Sequence, residues 1–117
     1  MSVEKKTVIY VLAGLVILIV LSMTVYVQVN KKLYAHRVMT FLTEEEHYSK
    51  QEIASVQGIW SVKLPPFLVV VKFSDEPEVE YTYFAHSGVL QFSHSITQQG
   101  IDQGIRESDL KNYVPLD

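Results

Sequence analysis

The chain has 117 residues and a formal net charge of −3 at pH 7, which leaves room for one small domain beside a membrane segment. It contains no cysteine, which excludes disulfides, a lipid-modified cysteine and a thiol nucleophile. After Arg37, five Lys and Arg residues stand against twelve Asp and Glu residues, and this acidic balance argues against binding to nucleic acid.

An uncharged run of twenty residues covers positions 8–27 and reads VIYVLAGLVILIVLSMTVYV. At about 1.5 Å per residue it forms a helix of roughly 30 Å, the thickness of the hydrocarbon core of a bilayer. Tyr10 and Tyr26 lie near its two ends, where aromatic side chains favour the headgroup region. The sequence therefore predicts a transmembrane helix at residues 8–29, preceded by a short N-terminal tail at residues 1–7.

A cleaved signal peptide is the alternative interpretation of this run. The apolar core of a signal peptide has about 7–15 residues and precedes a cleavage site of small residues. Here the apolar run is longer, and Ser22 and Thr24 are a poor match to such a site. We therefore expect the segment to remain as a membrane anchor.

The basic residues around the span are nearly balanced, with Lys5 and Lys6 before it and Lys31, Lys32 and Arg37 after it. A very short N-terminal tail ahead of a first span usually stays inside the cell. The prediction is a single-pass protein of the cell membrane with a cytoplasmic N-terminus and an extracytoplasmic C-terminal domain. The basic residues after the span suit anionic lipid headgroups.

The helical pattern continues beyond the span without a linker. Apolar residues recur there at helical spacing: Tyr34, Val38, Phe41 and Leu42. They predict one long helix, which spans the bilayer and then becomes amphipathic as far as about Glu46. Ser49 and Glu52 match a capping box, which predicts a short helical turn.

The apolar period then changes from about 3.6 residues to about 2, which is typical of strands with one buried face. Four segments alternate in this way: Val56, Trp60 and Val62; Phe67, Val69, Val71 and Phe73; Val79, Tyr81 and Tyr83; Leu90, Phe92 and Ile96. Turn signals, including Pro65 and Pro66, separate them and predict an antiparallel meander.

The predicted fold class is α+β, with the transmembrane helix continuing into an amphipathic helix packed on a four-stranded antiparallel sheet. Residues 30–96 form the small extracytoplasmic domain. We expect a single core that joins both layers: Trp60, Val71, Phe73 and Tyr81 against Val38, Phe41 and Leu42. The aromatic strand residues are therefore interpreted as core residues or cross-strand pairs.

The apolar alternation stops at Thr97, so residues 97–117 are predicted to be a C-terminal tail that is partly flexible. Some apolar residues offer a way to attach this tail to the domain: Leu110, Tyr113, Val114 and Leu116.

The stretch SDEPEVE at residues 74–80 raises the question of a catalytic carboxylate cluster. Asp75, Glu76 and Pro77 lie between two alternating runs, which indicates a hairpin turn. Glu78 and Glu80 alternate with apolar residues and are predicted to face water. A general acid–base pair needs a partly buried carboxylate, and the pattern does not predict one.

The histidines do not form a predicted metal site. His86 and His94 flank the last turn, and His94 is expected opposite about Glu80, too far from His86 to share a metal. His47 follows three glutamates and reads as the solvated end of a helix. Sequence motifs for a zinc protease, a serine hydrolase or a phosphate loop do not occur. The sequence thus predicts no catalytic, cofactor-binding or metal-binding residues.

The segment IWSVKLPPFLVVVKFSDEPEVEYTY, preceded by a span and an amphipathic helix, resembles small Gram-positive membrane proteins of domain-of-unknown-function family 3139. The most specific part is the turn Asp75-Glu76-Pro77 followed by Tyr81 and Tyr83, and the resemblance extends to about His94. It implies a single-pass membrane protein with an outer domain and supplies no catalytic residues, because that family has no assigned activity.

These features favour a non-enzymatic accessory or interaction protein at the bacterial cell envelope. Its expected partners are the lipid bilayer and another protein or envelope component, without nucleic acid and without a cofactor. Two alternatives remain, which are a regulatory or immunity-type partner of another membrane protein and a small membrane-tethered hydrolase.

Overall fold

The computed structural model describes residues 2–63 and 66–115. Its first element, α1, runs from Ser2 to Thr40 and continues into a π-helical turn at Phe41–Glu45. The single long helix predicted from the sequence is confirmed, and it begins within the segment expected to be an N-terminal tail. The molecule is elongated, with a longest dimension of 71 Å.

The N-terminal half of α1 protrudes from the domain. Among the described residues there is one helix long and apolar enough to cross a membrane, and it lies near the N-terminus. All side chains from Val8 to Val25 are exposed. A helix that is apolar on all sides and covered by nothing is suited to lipid rather than to water.

Four strands follow, and they form one antiparallel sheet in the order β1-β2-β3-β4. Their bounds are Ile53–Trp60 for β1, Phe67–Phe73 for β2, Glu76–Phe84 for β3 and Leu90–Ile96 for β4. This is the predicted meander, so the α+β class is confirmed. A 3-10 turn at Lys50–Glu52 precedes β1, and the Ser49 backbone N–H donates to Glu52 Oε1 at 3.1 Å, as the capping pattern predicts.

One face of the sheet is buried beneath the domain half of α1. The predicted alternation of β2 and β3 is confirmed, and the inward side chains are Phe67, Val69, Val71, Phe73, Val79, Tyr81 and Tyr83. Val38 and Leu42 of the helix are fully buried in the same core, and Phe41 is partly buried. The prediction that Trp60 belongs to this core is wrong. Trp60 is the last residue of the edge strand β1 and is 45% exposed.

The predicted face of β4 is also wrong. Leu90 and Phe92 are exposed, whereas Gln91 between them is buried. The pairing of β4 with β3 shifts by one residue beside Phe92, which marks a β-bulge. One extra residue reverses the alternation, so Ile96 contacts the core while Phe92 does not.

α1 and β1 run antiparallel and in close contact. Ala35 and Met39 lie beside the start of β1, from Ile53 to Val56, whereas Lys31 lies beside Gly58 further along the strand. A Cβ atom on Gly58 would lie 2.2 Å from the carbonyl oxygen of Lys31, so glycine alone permits this approach. β1 therefore runs back along the helix toward the apolar segment.

The chain after β4 folds against the sheet. A short helix, α2, covers Gln98–Asp102, and Thr97 caps it by accepting a 3.2 Å hydrogen bond from the Gly100 N–H. A 3-10 turn at Glu107–Asp109 follows.

The last described residues attach to the domain through a polar side chain. Asn112 is buried and Leu110 packs against the core, whereas Tyr113 and Val114 are about half exposed. Among the apolar residues proposed for this attachment, Leu110 has that role. Leu116 lies outside the described residues, as does Pro65.

Candidate functional site

A cleft of about 280 Å³ opens beside the end of α1. The helix covers mainly β1 and β2, and the C-terminal segment covers part of β3 and β4. The cleft lies between these two covers, so three separate parts of the chain form its walls.

The first wall is built by the end of the helix. The last turn is a π-turn, in which the Glu46 N–H donates to the Phe41 carbonyl oxygen at 3.1 Å. His47 then adopts a left-handed backbone conformation with φ 63°, which ends the helix and reverses the chain. Phe41 and Tyr48 consequently face the cleft, and Glu46 lies at its margin.

The second wall comes from the β3–β4 hairpin. The buried residues Tyr83 and Gln91 form the floor of the cleft, and Val89 and Leu90 form an apolar side of it. Gln91 Nε2 donates to the Tyr83 hydroxyl oxygen at 3.2 Å, and this bond does not use the hydroxyl hydrogen of Tyr83. Burial raises the pKa of Tyr83 to about 12, so its hydroxyl stays protonated further into the alkaline range than an exposed tyrosine.

The third wall is the C-terminal segment, with Val114 and Pro115. The Val114 N–H donates to Gln91 Oε1 at 2.8 Å, and Gln91 Nε2 also donates to the Asn112 carbonyl oxygen at 2.9 Å. The oxygen and the nitrogen of the Gln91 side-chain amide therefore both hold the C-terminal segment in place.

The acidic hairpin departs most from the prediction. Ser74 and Asp75 form a two-residue turn, and Glu78 and Glu80 are partly exposed. Glu76, however, begins β3 and is only 4% exposed, so its predicted place in the turn is wrong and the hairpin contains a buried carboxylate that the pattern did not predict.

A sheet irregularity turns Glu76 inward. Val71 pairs with Tyr81 and Phe73 pairs with Glu76, so four β3 residues lie opposite one β2 residue between these pairs. The irregular stretch contains Pro77, which has no N–H to donate to the ladder. The three additional residues reverse the alternation, and Glu76 points to the core side.

Glu76 accepts four hydrogen bonds from the protein. Its Oε1 accepts from the Tyr81 hydroxyl at 2.6 Å, from Asn112 Nδ2 at 2.9 Å and from the Asn112 N–H at 3.2 Å. Its Oε2 accepts from the Lys111 N–H at 2.8 Å. The pKa of Tyr81 is raised mainly by burial and secondly by its hydrogen bond to Glu76.

The cleft and the acidic hairpin belong to one polar network. The Tyr48 hydroxyl donates to Asn112 Oδ1 at 2.9 Å, while Asn112 Nδ2 bonds to Glu76 and to Asp75. Every buried side-chain nitrogen or oxygen of the described residues has a partner. Glu76 is therefore occupied by structural donors, whereas a general base must reach a substrate.

The described residues hold no cluster of His, Asp and Glu side chains that would bind a metal ion. His86 contacts the Tyr34 hydroxyl and the Phe67 carbonyl oxygen, each at 3.3 Å. His94 pairs with Tyr81 rather than with Glu80, because the bulge at Phe92 shifts the register, and it bonds to Glu107. His47 is exposed, as predicted.

The sequence patterns missed most of the cleft. Gln91 and Asn112 are polar residues without a motif, and they act through partners distant in the chain. Pro77 was predicted to lie in the turn but lies in β3, and it was the available signal for the irregular pairing beside Glu76, since proline in a strand marks an edge or a bulge.

No protein-family model, curated protein or solved structure matches this chain. The resemblance to domain-of-unknown-function family 3139 therefore stays a prediction, and the function has to be inferred from the geometry.

Proposed function

We propose that the chain is a single-pass membrane protein whose outer domain binds a protein of the bacterial cell envelope without catalysing a reaction. The observation that carries this proposal is the cleft beside the end of α1. Its walls are apolar at Phe41, Val89 and Leu90, and its floor offers the Tyr83 hydroxyl as a donor. Such a combination accommodates one apolar or aromatic side chain that carries a hydrogen-bond acceptor.

The size of the cleft is compatible with one anchoring side chain of a protein partner. Pockets for cofactors and drug-sized ligands usually have about 300–1,000 Å³. A cleft of about 280 Å³ lies at the lower edge of this range and has room for a single anchoring side chain. Central anchors of this kind dominate the energetics of many protein interfaces.

The charge near the cleft specifies the surroundings of the anchor. Glu44, Glu45 and Glu46 are exposed, and Glu46 lies at the cleft itself. A partner segment with Lys or Arg beside its apolar anchor would be attracted to this margin. The proposed partner segment therefore presents an apolar side chain flanked by basic residues.

The anchor in the membrane is part of the proposal. α1 supplies an apolar segment with exposed side chains on all faces, and we infer that it remains in the bilayer rather than being cleaved. In the proposed orientation the N-terminus is cytoplasmic and the domain is extracytoplasmic. The resemblance to the Gram-positive family is in keeping with this arrangement.

A tethered hydrolase has less support than an interaction protein. The buried carboxylate of Glu76 is occupied by four donors, and its one hydroxyl neighbour, Tyr81, donates to it. A regulatory or immunity-type role would use the same cleft, with a membrane protein as the partner.

Site-specific photocrosslinking in intact cells tests the proposal. A photoreactive residue replaces Leu90 at the cleft in one strain and Gln57 in another. Gln57 is a matched control because it is an exposed strand residue far from the cleft walls. We expect the probe at position 90, but not at position 57, to attach to a specific envelope protein at an apolar residue next to Lys or Arg.

A charge reversal completes the experiment. Glu46→Lys should lower the crosslinking yield at position 90, because it repels a basic segment. Equal labelling from both positions, or a captured segment that is acidic, would contradict the proposal. Turnover of an envelope polymer by the purified chain alone would favour the hydrolase.

A further inference from the structure

The turn between β1 and β2 lies level with the end of the apolar segment. β1 runs back along α1, passes Lys31 at Gly58 and ends two residues later at Trp60. Trp60 pairs with Phe67, whose ring centroid is 6.0 Å from that of Tyr26 in the last turn of the uncharged run. The Ser61 N–H closes the turn by donating to the Pro66 carbonyl oxygen at 2.8 Å.

Two large apolar side chains at this end of the sheet, Trp60 and Val62, are exposed. Val62 is 84% exposed, the highest value among the exposed large apolar side chains of the described residues. Trp60 is 45% exposed on the same end of the sheet. A large aliphatic side chain and a tryptophan beside the end of a span are typical of the membrane interface, where tryptophan is enriched.

The charges nearby have the sign that anionic headgroups attract. Lys63 follows Val62 in the turn, and Lys31 and Lys32 lie on the adjacent part of α1. The opposite end of the domain carries the acidic residues that follow α1 and the acidic hairpin. Basic residues at one end and acidic residues at the other orient the domain with the β1–β2 turn against an anionic surface.

We propose that Trp60, Val62 and Lys63, at the end of β1 and directly after it, make a second membrane contact in the headgroup region where α1 leaves the bilayer. The occupant of this surface is lipid, because the turn continues the apolar surface of the span and carries the complementary charge. The inference rests on the proposed membrane anchor. The turn and the span together then hold the domain upright on the membrane.

Tryptophan fluorescence tests this contact directly, since Trp60 is the one tryptophan of the chain. The full chain is reconstituted into vesicles of phosphatidylcholine and phosphatidylglycerol, some of them containing lipid brominated near the headgroup end of the acyl chain. We expect a blue-shifted emission maximum and strong quenching by the brominated lipid. Quenching should weaken in Val62→Asp and in Lys63→Glu, because each opposes contact with an anionic surface.

A relocated tryptophan is the matched control. Tyr113 is 49% exposed, close to the value for Trp60, and its ring contacts His94 away from the span. In the variant Trp60→Phe with Tyr113→Trp, emission should stay red-shifted and escape quenching.

Flotation of the same vesicles separates this inference from the anchor. Protein that floats with the vesicles but shows no quenching at Trp60 would overturn the second contact and leave the anchor standing. Protein that fails to float would overturn both. A blue-shifted emission without quenching would mean that protein, such as a second copy of the chain, covers the turn, which also overturns the lipid contact.

Discussion

At the scale of single residues, Glu76 is the side chain on which the outer domain depends most. It joins the start of β3 to the backbone of the C-terminal segment, because it accepts hydrogen bonds from the N–H groups of Lys111 and Asn112. It also accepts a hydrogen bond from the Tyr81 hydroxyl within the same strand. An ionised carboxylate only accepts hydrogen bonds, and all four hydrogen bonds to Glu76 are donated by its neighbours. The site is therefore matched to the charge of Glu76 as well as to its shape.

Glu76→Gln should lower the free energy of unfolding by about 1.5–3 kcal/mol, the range for lost hydrogen bonds to charged groups. The new amide NH₂ opposes donors, such as the Lys111 N–H, that the carboxylate accepts now. Urea unfolding of the full chain in detergent, followed by near-ultraviolet circular dichroism, measures the change. Glu78→Gln and Glu80→Gln are matched controls with an expected effect below about 0.5 kcal/mol. Equal effects for all three variants would show that Glu76 is an ordinary surface residue.

The raised pKa values of the buried tyrosines predict that the free energy of unfolding falls at alkaline pH. The pKa of Tyr83 is raised by burial from 10.0 to about 12, so the folded protein retains a proton that the unfolded chain loses above pH 10. The contribution of this group is thus fully present below pH 10 and is lost as the pH rises toward 12. Tyr83→Phe should flatten this decline without abolishing it, because the pKa of Tyr81 is raised as well. Urea midpoints measured between pH 8 and pH 11 check this, and an unchanged slope would refute it.

At the scale of elements, the contact between α1 and β1 depends on a single glycine. Gly58→Ala would place a methyl group against the Lys31 backbone, which has no flexible side chain to yield. Overpacking of this kind costs about 1–3 kcal/mol, and here the helix must move off the sheet. Gly14→Ala is the control, since nothing lies within 4 Å of a Cβ atom there. Unfolding by urea should distinguish the two, and similar midpoints would mean that the helix does not press on β1.

The C-terminal segment offers a second prediction at this scale. Asn112→Ala removes the side chain that bonds to Tyr48, Asp75 and Glu76, and should destabilise the segment by about 1–3 kcal/mol. Trypsin should then cleave faster at Arg106 and Lys111, as judged by mass spectrometry of limited digests. Gln98→Ala, an exposed change in α2, should leave both sites as slow as in the parent chain.

The same elements explain what the sequence could predict. The alternation predicted the buried faces of β2 and β3 correctly. These are the two central strands of the sheet, and their inward side chains, such as Val69 and Tyr81, are fully buried. The alternation failed at Gln91 because a bulge changes the face without changing the composition. Glu76 was predicted to lie in the turn, and the irregular pairing that places it in β3 is not visible in the alternation. The cleft could not be predicted, since its walls come from three distant segments and local periodicity carries no information about their meeting.

At the scale of the whole molecule, the apolar half of α1 and the acidic domain have opposite solvent requirements. Leu18 lies near the middle of the uncharged run, and Leu18→Arg should cost about 3 kcal/mol of insertion free energy. The variant should shift partly from the membrane to the soluble or degraded fraction, as fractionation of cells measures. Ser2→Arg, at the helix start, is the control and should stay in the membrane fraction.

Orientation is tested on the same scale. Protease added to intact protoplasts should remove a C-terminal tag if the domain has the proposed position outside the cytoplasmic membrane. A tag that is protected until the membrane is broken would reverse the orientation while leaving the fold unaffected.

α1 passes from the apolar segment into the domain core without a break between Val27 and Thr40. Each helical residue adds a rotation of about 100° and a rise of about 1.5 Å. One residue inserted after Gln28 would therefore swing the apolar segment by more than a quarter turn relative to the domain, with hardly any change in height. The number of residues in the helix therefore sets the direction in which the cleft faces around the long axis. A rotation of the apolar segment about its axis within the bilayer would turn the cleft by the same angle.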